Sequence, residues 1–75
     1  MNERSARPRG QRVNLNYADS WLLEALPGIG QGKAQAIVDY RNTYGHFRRV
    51  EDLLKVSGIS QATLDRLRDL VTVTE

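Results

Sequence analysis

Apolar and polar residues alternate only at the two ends of this chain. Between them the apolar positions recur at spacings of three and four, the period of amphipathic helices. The first alternating stretch, Val13-Asn14-Leu15-Asn16, predicts an extended lead-in whose Val13 and Leu15 pack on the helices, with Asn16 making a local side-chain turn. A first helix follows to about Leu26, turning Leu22, Leu23 and Leu26 inward, with the Asp19 side chain as its N-cap acceptor. Pro27 ends it, because the residue before a proline is pushed out of the α region. A second helix runs from near Gln31 to about Tyr44, with Ala34, Ile37, Val38 and Tyr44 on one face. Arg41 shares that stripe, its stem packed and its head reaching out. Gly45 suits the end of the helix and Phe47 a core anchor. A third helix is predicted over about Val50–Val56, with Leu53, Leu54 and Val56 apolar. A fourth is predicted from Gln61 to Leu70, with Leu64, Leu67 and Val71 on one face. The second alternating stretch, Val71-Thr72-Val73-Thr74, is predicted to lie extended against the lead-in and tie the termini together.

The helical pattern repeats. At an offset of 30 residues Leu23 aligns with Leu53, Leu26 with Val56, Gly28 with Gly58, Ile29 with Ile59, Ala34 with Leu64 and Ile37 with Leu67. Each half is therefore a short helix, a tight turn and a longer helix. One such unit cannot bury its apolar face alone, but two can bury theirs against each other. The expected fold is all-α: two similar units packed with pseudo-twofold symmetry into a small helical domain, with both turns on one side.

The turns carry the chemistry. In Leu26-Pro27-Gly28-Ile29-Gly30, proline beside glycine marks a tight turn, and Gly28 admits a positive φ. A helix starting just beyond leaves its first backbone N–H groups unpaired and pointing outward. With the positive end of the helix dipole they suit a phosphate. Charge sharpens this picture. The net charge is +2, but four arginines against one glutamate put +3 in residues 1–12, read as a disordered basic arm. Residues 13–75, the folded domain, hold seven basic and eight acidic residues, a net of −1. Nucleic-acid binding by this domain must therefore come from local placement of cations and amides, not from bulk attraction.

The intact Leu26-Pro27-Gly28-Ile29-Gly30, followed by Lys33 and Ala34, resembles the helix-hairpin-helix motif of DNA-binding proteins that do not read sequence. A longer ordered set resembles the ComEA family of DNA receptors in natural competence. It comprises Val13-Asn14-Leu15-Asn16-x-Ala18, the hairpin, Ala36-Ile37-x-x-Tyr40-Arg41, Gly45-x-Phe47, Glu51-Asp52-Leu53 and Val56-x-Gly58-Ile59. The resemblance covers roughly residues 13–73. It implies a tandem helix-hairpin-helix domain, SAM-domain-like in architecture, that binds the phosphate backbone of double-stranded DNA without catalysis or cofactor. It also implies work alongside DNA-uptake machinery at the cell envelope or periplasm. Carried over by position, the phosphate-binding residues are Gly28, Ile29, Gly30 and Gly32 through backbone N–H groups, and Lys33 through its charge. In the second hairpin they are Gly58, Ile59, Ser60 and Thr63. Ser60 stands where the motif prefers glycine, and Thr63 stands opposite Lys33. The second site is expected to be weaker, its two hydroxyls offered as donors.

Other signals are weaker. Gly28, Gly30, Gly32 and Lys33 invite a nucleotide-loop reading, but Pro27 and Ala34 occupy positions where that loop needs glycine and Ser or Thr. No metal constellation, catalytic triad or paired carboxylates stand out, and a small-molecule substrate is not expected. No apolar run reaches the roughly 18 residues of a membrane span, and the N-terminus has no signal-peptide core. Arg48, Arg49 and Lys55 read as a solvated face or as further phosphate contacts, and Arg66 and Arg68 as locally paired with Asp65 and Asp69. Trp21 reads as a core edge or as a partner surface. The rival to DNA binding is a structural or protein-interaction module of the same fold, favoured by the −1 charge, the altered second hairpin and Trp21.

Overall fold

The ends of the domain meet in a parallel ribbon. In the computed structural model, which describes residues 12–74, strand β1 (Val13–Asn14) pairs with β2 (Val71–Thr72), Val13 opposite Val71 and Asn14 opposite Thr72. Val13 N–H donates to the Leu70 carbonyl and Leu15 N–H to that of Thr72, each at 2.9 Å. The tail thus lies against the lead-in, as its alternation predicts. The basic arm expected over residues 1–12 lies outside the described residues except for Arg12.

The two asparagines of the lead-in divide their roles differently from expectation. Asn14 makes the local turn, its Oδ1 accepting from Asn16 N–H at 2.9 Å. Asn16 is 5% exposed and makes long-range ties. Its Oδ1 accepts from Phe47 N–H at 2.7 Å, and its Nδ2 donates to the carbonyls of Phe47 and Val73, both at 3.1 Å. One amide therefore joins the lead-in, the connector and the tail, satisfying buried backbone groups that lie outside any helix. Arg41 adds a second tie. Its Nη1 donates to the Leu15 carbonyl at 2.8 Å, so its head turns into the fold rather than reaching out.

The first helix, α1, spans Ser20–Leu23. Asp19 is its N-cap by position, but its carboxylate accepts from Trp21 Nε1 at 3.3 Å and caps no amide. Its backbone carbonyl accepts from Leu22 and Leu23 instead. The helix stops short of Leu26 because the chain tightens towards Pro27: Ala25 N–H bonds to the Leu22 carbonyl and Leu26 N–H to that of Leu23, both three residues back. The second helix, α2, spans Gln31–Tyr44 as its periodicity predicts. Its last turn clears the core, so Tyr44 is 73% exposed and Tyr40 packs inward instead, stacked on Phe47 with ring centroids 5.1 Å apart.

The third element is a 3₁₀ helix over Val50–Lys55, not an α-helix. With three residues per turn, Val50, Leu53 and Val56 share one side and Leu54 is turned out, 44% exposed. The buried Asp52 starts it by accepting from the Arg48 and Arg49 N–H groups at 3.0 and 3.2 Å. The last helix, α3, spans Gln61–Leu67 and ends before Leu70. A closing bond from Leu70 N–H to the Leu67 carbonyl, 2.7 Å, delivers Val71 to β2.

All ten apolar residues of the five repeat-related pairs are buried: Leu23 with Leu53, Leu26 with Val56, Ile29 with Ile59, Ala34 with Leu64 and Ile37 with Leu67. Leu15, Ala18, Phe47 and Val71 complete the same core. The domain is all-α apart from the terminal ribbon, and its two units share one hydrophobic interior.

Candidate nucleic-acid interface

The repeat extends to the hydrogen bonds of the hairpins. Leu26 N–H bonds to the Leu23 carbonyl and Val56 N–H to that of Leu53, each at 3.0 Å. Ile29 N–H closes the first turn on the Leu26 carbonyl at 3.1 Å, and Ile59 N–H closes the second on Val56 at 3.2 Å. Gly28 has φ +77° and Gly58 φ +90°. In the first hairpin Pro27 precedes the positive-φ glycine, which makes a type II turn. Both isoleucine side chains are buried and both isoleucine amides are used inside the turn. Ile29 and Ile59 are therefore anchors of the hairpins, and their N–H groups are not the outward donors expected of them.

The donors at the first hairpin lie around Ile29. Gly30 is the N-cap of α2, in extended backbone with φ −88° and with no side chain to cap the helix. Its carbonyl accepts from Ala34 N–H at 2.9 Å. Among the described residues no protein group accepts from the N–H groups of Gly28, Gly30, Gln31, Gly32 or Lys33. A Cβ placed on Gly30 or Gly32 would meet nothing within 4 Å, so both glycines face open space. The sequence-predicted Gly28, Gly30, Gly32 and Lys33 thus come together at the start of a helix of 14 residues.

The second hairpin differs in one respect that matters chemically. Ser60 is the N-cap of α3, and its Oγ accepts from Thr63 N–H at 3.2 Å. The same Oγ lies 3.2 Å from Thr63 Oγ1, the two hydroxyls sharing a hydrogen bond. An amide left open at the first hairpin is closed here by the protein itself. The two hydroxyls are engaged with each other and are not both outward donors.

The hairpins are set against each other's helices. A Cβ on Gly28 would lie 3.4 Å from Arg66 Nη1 and 3.9 Å from Thr63 Cγ2. A Cβ on Gly58 would lie 3.7 Å from both Cγ and Cε of Lys33. Lys33 and Thr63 are equivalent positions, as are Gly28 and Gly58, so the contacts are reciprocal. That reciprocity is the mark of a twofold relation, here between two halves of one chain. It brings Gly28, Lys33, Gly58, Thr63 and Arg66 onto one side of the molecule.

The remaining cations sort by partner. Arg41 is bound to the Leu15 carbonyl, Lys55 lies 3.7 Å from Asp52, and Arg68 is paired with Glu51 and with Asp65. The N–H groups of Arg48, chiefly, and Arg49 hold the Asp52 carboxyl below its ordinary value, against the opposing effect of burial. Glu51 is lowered by its own backbone N–H and by Arg68, whose pKa is raised in turn by Glu51. Lys33 and Arg66 have no acidic partner within ion-pair distance among the described residues. Arg66 was expected to pair with Asp65 or Asp69; Asp65 instead accepts from Gln61 Nε2 at 2.9 Å and pairs with Arg68. The signal that finds Arg66 is the pseudo-twofold itself. If Lys33 lies over the second hairpin, the first turns of α3 must lie over the first.

An apolar cleft of about 460 Å³ is lined by Val13, Tyr17, Leu22, Pro27 and Leu70 among others. Trp21, beside Leu22, is 68% exposed. Among the described residues no helix is long and apolar enough to cross a membrane.

The family model for the helix-hairpin-helix motif matches residues 9–72. ComE operon protein 1 of Bacillus subtilis (strain 168) is 38% identical over 65 residues, covering 87% of this chain and 32% of that protein. An uncharacterized protein of Haemophilus influenzae is 46% identical over 61 residues, covering 80% of this chain and 54% of that protein. Human endonuclease/exonuclease/phosphatase family domain-containing protein 1 is 43% identical over 67 residues, covering 89% of this chain and 12% of that protein. The chain spans about a third of the Bacillus protein, about half of the Haemophilus protein and about an eighth of the human one.

Proposed function

Because the chain belongs to the helix-hairpin-helix family, with a domain of the ComEA type, we propose that it binds the phosphate backbone of double-stranded DNA without reading sequence. The observation that carries this reading is the first hairpin, where the N–H groups of Gly28, Gly30, Gly32 and Lys33 lie within six residues at the start of α2 with no acceptor among the described residues. Such amides, at the positive end of α2, are a ready cradle for a phosphate oxygen. Phosphate contacts position a protein on DNA but carry no sequence information. The second hairpin contributes Gly58, Ser60 and Thr63 more weakly, because Ser60 already satisfies Thr63 N–H. The role is that of a non-catalytic DNA-holding module, and the ComEA likeness supports a place in DNA uptake, beside the machinery that moves the strand.

The test is fluorescence anisotropy of two labelled duplexes of unrelated sequence, titrated at low and moderate salt, with a Gly30→Asp variant alongside. Dissociation constants of roughly 10⁻⁴–10⁻⁶ M at physiological salt, equal for both duplexes, are expected. If about four phosphates are neutralised, log K falls against log salt with a slope near −3.6. No binding to either duplex at low salt would overturn the reading. The second reading, a protein-interaction module, is favoured by the exposed Trp21 and Tyr17 beside the apolar cleft. It predicts an oligomer in sedimentation and no salt-sensitive DNA binding.

A further inference from the structure

We infer that Arg66, on the second unit, supplies the cation for the phosphate held by the first hairpin, so that this site is built from both halves of the repeat. The inference rests on the phosphate-binding reading above and concerns which side chain completes it.

Three observations carry it. The guanidinium of Arg66 lies over the first turn, its Nη1 3.4 Å from where a Cβ on Gly28 would sit. It has no acidic partner among the described residues, whereas the neighbouring Arg68 is held by Glu51 and Asp65. The pseudo-twofold brings α3 to this turn, since Thr63 meets Gly28 as its equivalent Lys33 meets Gly58, and Arg66 stands one turn further along α3 where the first unit has Ala36. Lys33 begins on the same helix as the first hairpin's amides, yet its stem runs towards the other turn. The first hairpin then draws its charge from across the pseudo-twofold.

The chemistry suits the assignment. A guanidinium is planar, permanently charged and able to give two parallel N–H bonds to one phosphate. Placed at the Gly28 turn, it adds charged donors beside the open amides of α2. Substituting Gly28 is restricted by its positive φ, while a Cβ there would only reach ordinary contact with the guanidinium of Arg66.

The experiment titrates a labelled duplex of about 20 base pairs with wild type, Arg66→Gln, Arg66→Lys, Arg68→Gln, Gly30→Asp and the Gly30→Asp/Arg66→Gln double variant. Salt is varied from about 50 to 200 mM, a range over which phosphate contacts are strongly weakened. Arg66 is exposed and glutamine is a comparable helix former, so circular dichroism and thermal midpoints should match wild type. Arg66→Gln is expected to bind about tenfold more weakly and to flatten the log–log salt slope by about 0.9, the contribution of one phosphate. Arg66→Lys should keep the slope, and Arg68→Gln should leave both quantities near wild type. The double variant should lose less than the two single losses combined, because both changes act at one phosphate. If wild type binds and Gly30→Asp weakens it, but Arg66→Gln matches Arg68→Gln, the assignment of Arg66 is overturned and the phosphate reading survives. If wild type binds no duplex, both fall.

Discussion

Gly30 and Ser60 stand at the same place in the repeat and solve opposite problems. Ser60 closes the Thr63 amide and so stabilises α3, while Gly30 leaves the start of α2 open. Its φ of −88° is one that any residue adopts, and a Cβ there meets nothing. Stability alone would therefore favour a capping residue at position 30. We expect Gly30→Ser and Gly30→Asp to raise folding stability by a few tenths of a kcal/mol, the usual gain over glycine at an N-cap. Both should weaken DNA binding, Asp more than Ser, since each side chain takes an amide and the carboxylate also repels phosphate. Thermal denaturation and anisotropy on the same samples should move in opposite directions; loss of both together would make Gly30 a structural residue. Asp52 gives a second prediction at this scale. Its folded pKa lies below the ordinary 3.8 because two backbone N–H groups favour the charged form. The stability it contributes is present above that ordinary value and is lost as pH falls through the folded one. Asp52→Ala is expected to cost about 1–2 kcal/mol near neutral pH, with that difference shrinking as the pH falls below the ordinary value of 3.8 and through the lowered folded one. A thermal midpoint gap that persists undiminished in acid would exclude the carboxylate's bonds as the cause.

Elements were legible where a side chain's fate is decided by its near neighbours in sequence. The length of α2, the two turns and the extended ends follow from periodicity, glycine and proline. The errors arise where tertiary contacts override local preference. Tyr44 has the right spacing but sits on a turn of α2 that outruns the core, so Tyr40 takes the inward role. Leu54 points out because the segment winds at three residues per turn, a choice made by Asp52 reaching four and three residues back to Arg48 and Arg49. The Ser60–Thr63 pairing depends on geometry that composition does not encode, and the placement of Arg66 follows from the repeat only once the two units are set against each other. Asn16 is the clearest case, read as a local turn and found to join segments 31 and 57 residues away. Asn16→Ala would strand the Phe47 N–H and two carbonyls. We expect it to cost about 2–4 kcal/mol, each buried unpaired group costing about 1–3. In a domain this small that lowers the midpoint by more than about 10 °C. Asn14→Ala, whose bonds to Thr74 are exposed, should cost less than half as much. Equal losses would mean that the ribbon, not the buried amide, holds the ends.

At the scale of the molecule, residues 13–75 carry a net charge of −1, yet Lys33 and Arg66, which have no acidic partner among the described residues, lie at the two hairpins beside the open amides of α2. Binding there is local, so its strength is limited to a few phosphates and falls steeply with salt. On the proposed reading, one domain alone holds DNA weakly. Affinity is recovered by number. Two copies joined by a flexible linker of about 20 residues place the second at millimolar effective concentration once the first is bound. For a dissociation constant of roughly 10⁻⁵ M, that gives about a hundredfold tighter binding on a duplex long enough for both. On a duplex of about 10 base pairs, one helical turn, the second copy has nowhere to dock and the gain should shrink to about twofold. Introducing Gly30→Asp into one copy only should return the long duplex to single-copy affinity. If the linked pair shows the same gain on both duplex lengths, the copies are binding each other rather than the DNA, and the exposed face at Trp21 and Tyr17 becomes the interface to map.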